Sequence, residues 1–361
     1  MPGENATNGN SATFEVPKVG LAACVVNPGP DYTIELRRDY PVPTPGRGQL
    51  LLKLNCTGIC LSDHHGMLGD FGLPMSCQCS GHEGAGVVVA MGEGVEGWKI
   101  GDRGGIKPIW DVCHECTYCR EGMETHCDKG KPAGVVVDGT YCQYTLSPAR
   151  YTTRIPDGVP DELAAVTMCS GATIYTAIKN SRVKSGQWLV IPGAGGGVGH
   201  QGLMVCRAMG VRVIAIDTGA DKQKLCMELG AEKFIDFKTS EDVVKEVFAI
   251  TGSGAHAVIC TGGTAAAYKT APLFLRKGGW MVGIGLPAAG TAIAGTDPLH
   301  LIFHKLTITG SLTGNQSDVA EALDFVARGL VKPVVQVLPF DQFKEGLAKL
   351  VAGRIVINYN A

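Results

Sequence analysis

The sequence predicts an α/β chain of two domains, one mostly β and one built on a doubly wound parallel sheet, and three observations carry that prediction. Short apolar runs broken by proline- and glycine-rich turns fill the chain up to Asp161. Beyond Asp161, strand-like runs alternate with helical apolar spacing, the pattern of an open sheet covered by helices. A glycine run, Gly193 to Gly199, lies between one such strand and one such helix. The chain then divides into a disordered tail (1–18), the mostly-β domain (19–171), the sheet domain (172–312) and a segment returning to the first domain (313–361).

Composition narrows the function classes. A formal charge of -2 and an isoelectric point near 6.5 give no electrostatic reason to expect nucleic acid or an anionic membrane as partner. Charged residues make up 18% of the chain and glycines number 50, a mix that suits an enzyme with tight turns rather than a disordered protein. No apolar run approaches the ~18 to 20 residues of a membrane span. The polar start, MPGENATNGNSATFEVPK, has no apolar core for a secretory signal, so a cytoplasmic protein is expected. Its 14 cysteines should then be reduced, and reduced cysteines in clusters point to metal.

Taken in order, Val19 to Val26 and Gly48 to Leu54 read as strands separated by a proline-rich turn, Tyr40 to Pro45, and strands continue at Val87 to Ala90 and Gly101 to Ile106. Between them, Gly58 to Gly86 holds Cys60, Ser62, Asp63, His64, His65, His82 and Glu83. A thiolate and an imidazole suit zinc, and a catalytic zinc takes three protein ligands and keeps one position open. Cys60 and His82 supply two. Cys169, in TMCSGAT, is the best candidate for the third because it is read as lying in a small-residue turn at the domain boundary. A second metal signal is the CxxCxxCxxxxxxxC run of Cys113, Cys116, Cys119 and Cys127, whose four thiolates in one loop match a closed structural zinc site. An iron–sulfur cluster is the competing reading; the long last gap and the lack of a proline after Cys127 weigh against it. The remaining eight cysteines read as small hydrophobes.

In the second half, Glu162 to Thr167 and Thr173 to Lys179 carry helical spacing around Cys169, and Val183 to Gly186 reads as a turn. The strand Trp188 to Pro192, the run Gly193, Ala194, Gly195, Gly196, Gly197, Val198, Gly199, a helix to Met209, and a strand Val211 to Ile216 ending at Asp217 form a βαβ unit. Such a loop lets backbone N–H groups approach a pyrophosphate at a helix N-terminus. Asp217 is placed to accept from ribose hydroxyls and to repel a 2′-phosphate, which favours NAD over NADP. Lys222 reads either as a ribose contact or as an exposed lysine at a helix start. Further strands follow at Lys233 to Phe237, His256 to Cys260, Gly279 to Ile284 and Leu306 to Ser311. Helices at Val319 to Ala327 and Phe343 to Leu350, with strands at Val334 to Leu338 and Arg354 to Tyr359, complete the chain.

These residues resemble the zinc-dependent medium-chain alcohol dehydrogenases, most closely the fungal, yeast-type branch. The similarity runs from about Val19 to the C-terminus through GHEGAG at Gly81 to Gly86, GWKIGDR at Gly97 to Arg103, the four-cysteine loop, and EALDFVARGLVK at Glu321 to Lys332. It implies a GroES-like catalytic domain with a Rossmann cofactor domain, NAD, two zinc ions per chain, and a homodimer or homotetramer acting on a small alcohol or aldehyde. By resemblance, Cys60, His82 and Cys169 hold the catalytic zinc with Glu83 able to approach it, a ligand set established for that family. Asp63 orients His82, Ser62 bonds the alcohol, and His65 is the outer member of a proton relay. His64 carries no such role and reads as solvent-facing. Three departures stand out. Leu61 replaces a histidine that contacts the pyrophosphate. Ala194 takes the first glycine position of the loop. Met67, Phe71 and Pro108 stand where yeast-type enzymes place bulky tryptophans around a small pocket, so the site should admit a substrate larger than ethanol unless Trp110 or loop movement refills the space. A role in fungal specialised metabolism is compatible with that pocket. The alternatives are a non-catalytic NAD(H)-binding protein on the same fold and a zinc-free quinone or enoyl reductase; both sets of zinc ligands are present, which disfavours the latter.

Overall fold

The five residues Trp188–Pro192 are all buried, and burial on both faces is why this strand reads as an unbroken apolar run rather than an alternation. In the computed structural model, which describes residues 14–350 and 354–361, it is an inner strand of a six-stranded sheet. The order across that sheet is Lys233–Asp236, Arg212–Asp217, Trp188–Pro192, Ala255–Cys260, Leu275–Gly283 and Thr307–Gly310, every neighbouring pair parallel. The chain order reverses between Trp188–Pro192 and Ala255–Cys260, and a crevice at such a reversal, at the carboxyl ends of the strands, is where open α/β sheets bind ligands.

The mostly-β part is built around Gln49–Ile59, which pairs antiparallel with Gly84–Met91 on one side and Arg354–Asn358 on the other. Arg103–Ile106 and Thr153–Arg154 extend one edge, Val335–Pro339 the other, and Tyr144–Pro148 also pairs with Gln49–Ile59. The strands at the C-terminal end of the chain thus complete a sheet begun near its N-terminus. Thr33–Pro41 is a strand paired with Val19–Val26 that the sequence pattern does not reveal. Its charged residues Glu35, Arg37, Arg38 and Asp39 disguise the alternation, as befits a strand in an exposed two-stranded ribbon. Residues 1–13 of the expected tail lie outside the described residues.

A second difference concerns Cys169. The expected turn is a continuous helical stretch: Asp161–Val166 runs through a π-helical turn, Thr167–Gly171, into Ala172–Asn180. Thr167 and Ser170 donate their hydroxyls back to Leu163 O and Val166 O, giving the small residues local partners without breaking the helix. All five residues of the π turn are buried.

His200, in the helix Gly199–Met209, ties the two parts together. One ring nitrogen, Nδ1, lies 2.9 Å from Gly196 O, and Nε2 accepts the Val334 N–H at 3.0 Å, so both partners are satisfied by a neutral ring. Burial holds this imidazole at about 4, below its ordinary 6.5. Because the folded value is the lower one, the neutral ring's contribution is complete above pH 6.5 and is lost as pH falls toward 4. Urea unfolding at about pH 7 and about pH 5 is expected to show the protein losing about 2 kcal/mol more than a His200→Gln variant over that interval. Equal losses in the two proteins would show that the ring does not titrate between its folded and unfolded states as described.

Candidate metal and cofactor site

Cys60 ends the strand Gln49–Ile59 and caps the helix Leu61–Leu68, while His82 and Glu83 immediately precede the strand Gly84–Met91. The π turn brings Cys169 to the same point. One ligand atom from each of Cys60, His82, Glu83 and Cys169 lies within 4.8 Å of the others, and all four residues are buried. Asp63 Oδ1 sits 2.6 Å from His82 Nδ1, which leaves Nε2 as the nitrogen facing the sulfurs, 3.3 Å from Cys169 Sγ. Asp63 is itself fixed: its Oδ2 accepts the Cys60 N–H at 3.2 Å and the Tyr141 hydroxyl at 3.1 Å. Ser62 Oγ lies 3.1 Å from Cys60 Sγ and 3.4 Å from His82 Nε2.

A hydrogen bond shared with Cys169 holds the Cys60 thiol well below its usual range against the opposing effect of burial. Burial pushes Glu83 up to about 7, opposed by Arg354, whose guanidinium pairs with Oε2. The other carboxylate oxygen, Oε1, is buried without a partner. Two soft sulfurs, a pre-oriented imidazole nitrogen and a carboxylate oxygen of Glu83 converging in a buried place are a donor set that fits zinc.

Around this cluster the remaining expected residues divide. His65 Nδ1 is 2.6 Å from Asp70 Oδ2, and Asp70 O accepts the Ala289 N–H from the loop after Leu275–Gly283, at 3.2 Å. Phe71 is half-buried, with its ring 5.8 Å from that of His65. His64 is not solvent-facing: it is half-buried and its Nδ1 lies 2.6 Å from the Tyr32 hydroxyl. Leu61 is 47% exposed. Met67 has no exposed surface and packs in the core of the β domain, so its side chain fills space rather than lining an opening. Pro108 is half-buried and its carbonyl accepts the Ala133 N–H. Trp110 does not support the alternative in which it refills the substrate site. Its indole donates to Leu146 O at 2.7 Å and it lines a groove of about 660 Å³ with Tyr40, Gln78 and Tyr144, a groove to which none of the clustered metal-ligating residues contributes.

The other cysteine set also converges, with Cys113, Cys116, Cys119 and Cys127 offering sulfurs within 4.8 Å of one another. Backbone N–H groups reach these sulfurs, Cys116 N–H to Cys113 Sγ at 3.3 Å and Cys113 N–H to Cys127 Sγ at 3.4 Å. The N–H groups of Glu115 and Cys116 lower the Cys113 thiol to about 6. Four thiols whose own loop supplies donors that favour the thiolate fit a closed zinc site. The lobe is fastened to the helix Gln316–Ala327 by Asn315 Nδ2 donating to Gly122 O and by Gln316 N–H donating to Glu124 Oε1.

In the glycine loop, Gly193 adopts a φ of +81°, and a Cβ on Gly199 would come within 2.7 Å of Ala194 Cα, so a larger residue would part the helix from the strand. Asp217 is buried; its Oδ2 accepts the Gly195 N–H at 2.9 Å and its Oδ1 the Lys222 ammonium at 2.8 Å. The N–H groups of Gly197 and Val198 have no partner among the described residues. Free N–H groups at the start of an eleven-residue helix, with a carboxylate at the next strand end, fit a dinucleotide.

Asp70, Tyr141 and Arg354 escape the sequence reading. Asp70 is five residues beyond His65 in the same stretch and carries a signal of proximity, whereas Arg354 reaches the cluster through sheet pairing and Tyr141 from a turn whose backbone bonds to Ser80 and Ala23.

Comparisons with known proteins agree with this geometry. Residues 46–157 match the family model described as the alcohol dehydrogenase GroES-like domain, and residues 197–328 the zinc-binding dehydrogenase model. The chain is 42% identical to an alcohol dehydrogenase of Schizosaccharomyces pombe over 348 residues, covering 95% of this chain and 99% of the relative. It is 40% identical to alcohol dehydrogenase 1 of Emericella nidulans over 325 residues, covering 89% and 92%. An acetophenone reductase of Geotrichum candidum, solved in complex with NAD, superposes with a TM-score of 0.82 at 28% identity, covering 96% of this chain and 98% of that one. With both converging donor sets, the nucleotide loop and identity at this level across nearly its full length, the chain belongs to the zinc-dependent medium-chain alcohol dehydrogenases, in their fungal branch.

Proposed function

We propose that the protein interconverts primary or secondary alcohols with their aldehydes or ketones using NAD(H), and that its substrate is larger than ethanol. The observation that carries the reading is the buried convergence of Cys60, His82, Cys169 and Glu83 beside the Ser62 hydroxyl. When bound, zinc supplies a Lewis acid that polarises the substrate oxygen, and NAD supplies the hydride acceptor. Cys60, His82 and Cys169 would hold the catalytic ion, and the four-cysteine lobe a structural one. Asp63 keeps His82 in the tautomer that presents Nε2. Ser62 takes the proton of the substrate hydroxyl, and His65, its Nδ1 engaged by Asp70, leaves Nε2 as the outer proton acceptor. The loop from Gly193 through Ala194, Gly195, Gly196, Gly197 and Val198 to Gly199 would seat the pyrophosphate, with Asp217 selecting NAD and Lys222 holding Asp217 in place.

For the larger substrate, Phe71 beside His65 and the absence of tryptophan at Phe71 and Pro108 are the supporting features. The likeness to a reductase of an aromatic ketone points the same way. A homodimer or homotetramer is supported by the apolar helix Pro298–His304, where Leu299, Ile302 and Phe303 are 65%, 72% and 75% exposed next to the edge strand Thr307–Gly310. Among the described residues no helix is long and apolar enough to cross a membrane. A place in fungal specialised metabolism is compatible with a larger substrate.

Initial rates of NADH and NADPH consumption across aldehydes from acetaldehyde to bulky aromatics should favour NADH and the larger substrates. A strong acetaldehyde preference in kcat/KM would remove the enlarged-site reading, and silence across the series would return weight to a non-catalytic NAD(H)-binding protein. Asp63→Asn should weaken zinc at the Cys60 site by roughly 10–100-fold in competition with a chromophoric chelator, without loosening the four-cysteine ion. Unchanged affinity would show that Asp63 does not orient His82 for the metal.

A further inference from the structure

Gln201 is the third residue of the helix Gly199–Met209, has no exposed surface, and takes no part in the reaction described above. Its Nε2 donates in two directions. One bond, 3.1 Å, goes to Gly197 O in the nucleotide loop. The other, 2.7 Å, goes to Ser170 Oγ, the residue next to Cys169 in the π turn. Ser170 passes its own proton to Val166 O at 2.8 Å, so the chain of bonds runs from the loop into the backbone that bears Cys169. The amide's Oε1 has no partner, and a Cβ added to Gly171 would lie 3.0 Å from it. A single dry side chain thus spans the two elements that carry the cofactor loop and the third sulfur.

We propose that Gln201 is a positioning residue that couples the nucleotide loop to Cys169, so that NAD(H) binding and occupancy of the catalytic metal position are thermodynamically linked. This rests on the zinc- and NAD-dependent reading above. The physical basis is the directness of the connection. Seating a pyrophosphate engages the N–H groups around Gly197, and a displacement there reaches Ser170 through a fully buried amide bonded to both. The π turn is the element able to respond, because its wider hydrogen-bond register has the ordinary α-helical register as a neighbouring alternative. The orphan Oε1 fits an amide held by its two donor bonds rather than by complete satisfaction. Linkage of this kind is reciprocal: whatever factor the ion adds to cofactor affinity, the cofactor adds to the ion's.

The test compares the NADH dissociation constant, by NADH fluorescence, for the two-zinc protein and for protein dialysed against chelator until one zinc per chain remains. The wild type is expected to bind NADH on the order of fivefold more tightly with both ions present. Gln201→Met, which keeps length and loses the donor, and Ser170→Ala, which removes the same bond from its other end, should each bring that ratio to about one, and the double variant should go no further. Variants that keep the wild-type ratio would overturn the proposal, as would a wild-type ratio already at about one with NADH still bound. Failure of the wild type to bind NADH in either state would instead remove the proposed function itself, and the inference with it. A purely structural tether would change unfolding stability while leaving the ratio intact.

Discussion

The pairing of Asp63 with His82 governs the rest of this structure. A carboxylate and an imidazole 2.6 Å apart, both buried, are tolerable because hydrogen bonds tie most of the polar groups around them into one network, with Glu83 Oε1 and Arg354 Nε left without partners among the described residues. Asp63 is held by a backbone N–H and a tyrosine hydroxyl, Cys60 by Cys169, and Glu83 by Arg354. The fold can be read as what is needed to bring these groups together from widely separated positions. One strand ends at Cys60, the next begins after Glu83, a helix delivers Cys169, and a strand from the far end of the chain supplies the cation. A buried charge cluster of this kind is costly when any one member is missing, and the sheet that spans both ends of the sequence guarantees that none is.

The second organising feature is the junction between the sheet domain and the β domain. The π turn, the helix after the glycine loop and the segment at Val334 meet through Gln201 and His200, with side chains rather than backbone ladders making the contacts. Backbone pairing makes each domain stiff within itself. Side-chain bonds across the junction hold the two bodies together without a continuous backbone ladder between them.

The features legible in the sequence are those written in local spacing. The four-cysteine loop and the strand, glycine run, helix, strand and acid of the nucleotide unit each fall within one continuous stretch, and the strand Trp188–Pro192 announces its burial by being wholly apolar. Cys60 and His82 are legible as a soft-ligand pair within one stretch, whereas the role of Asp63 is legible only through the family resemblance. What escaped was either non-local or disguised. Arg354 reaches the cluster through register between distant strands and Tyr141 through a turn folded back against Ser80 and Ala23, which no window of sequence records. Thr33–Pro41 hides its alternation among charges, and the small residues around Cys169 suggest a break where hydroxyls donating to earlier carbonyls sustain a helix. Trp110 illustrates a further limit. A bulky residue near the right place in the chain need not face the site, and here it turns to a different surface.

The interleaved order of the chain also bears on how the protein is made. The strands of the sheet domain are contiguous from Trp188 to Gly310, so that body can acquire its core on the growing polypeptide. The β domain is different, because its central strand Gln49–Ile59 gains its partner Arg354–Asn358 only after the whole sheet domain has been made. Until that strand emerges, Glu83 lies beside an open sheet edge without its cation, and one side of the cluster has no wall. The reactive half is therefore closed after the cofactor-binding half already exists as a platform, and the strand Arg354–Asn358 acts as its latch.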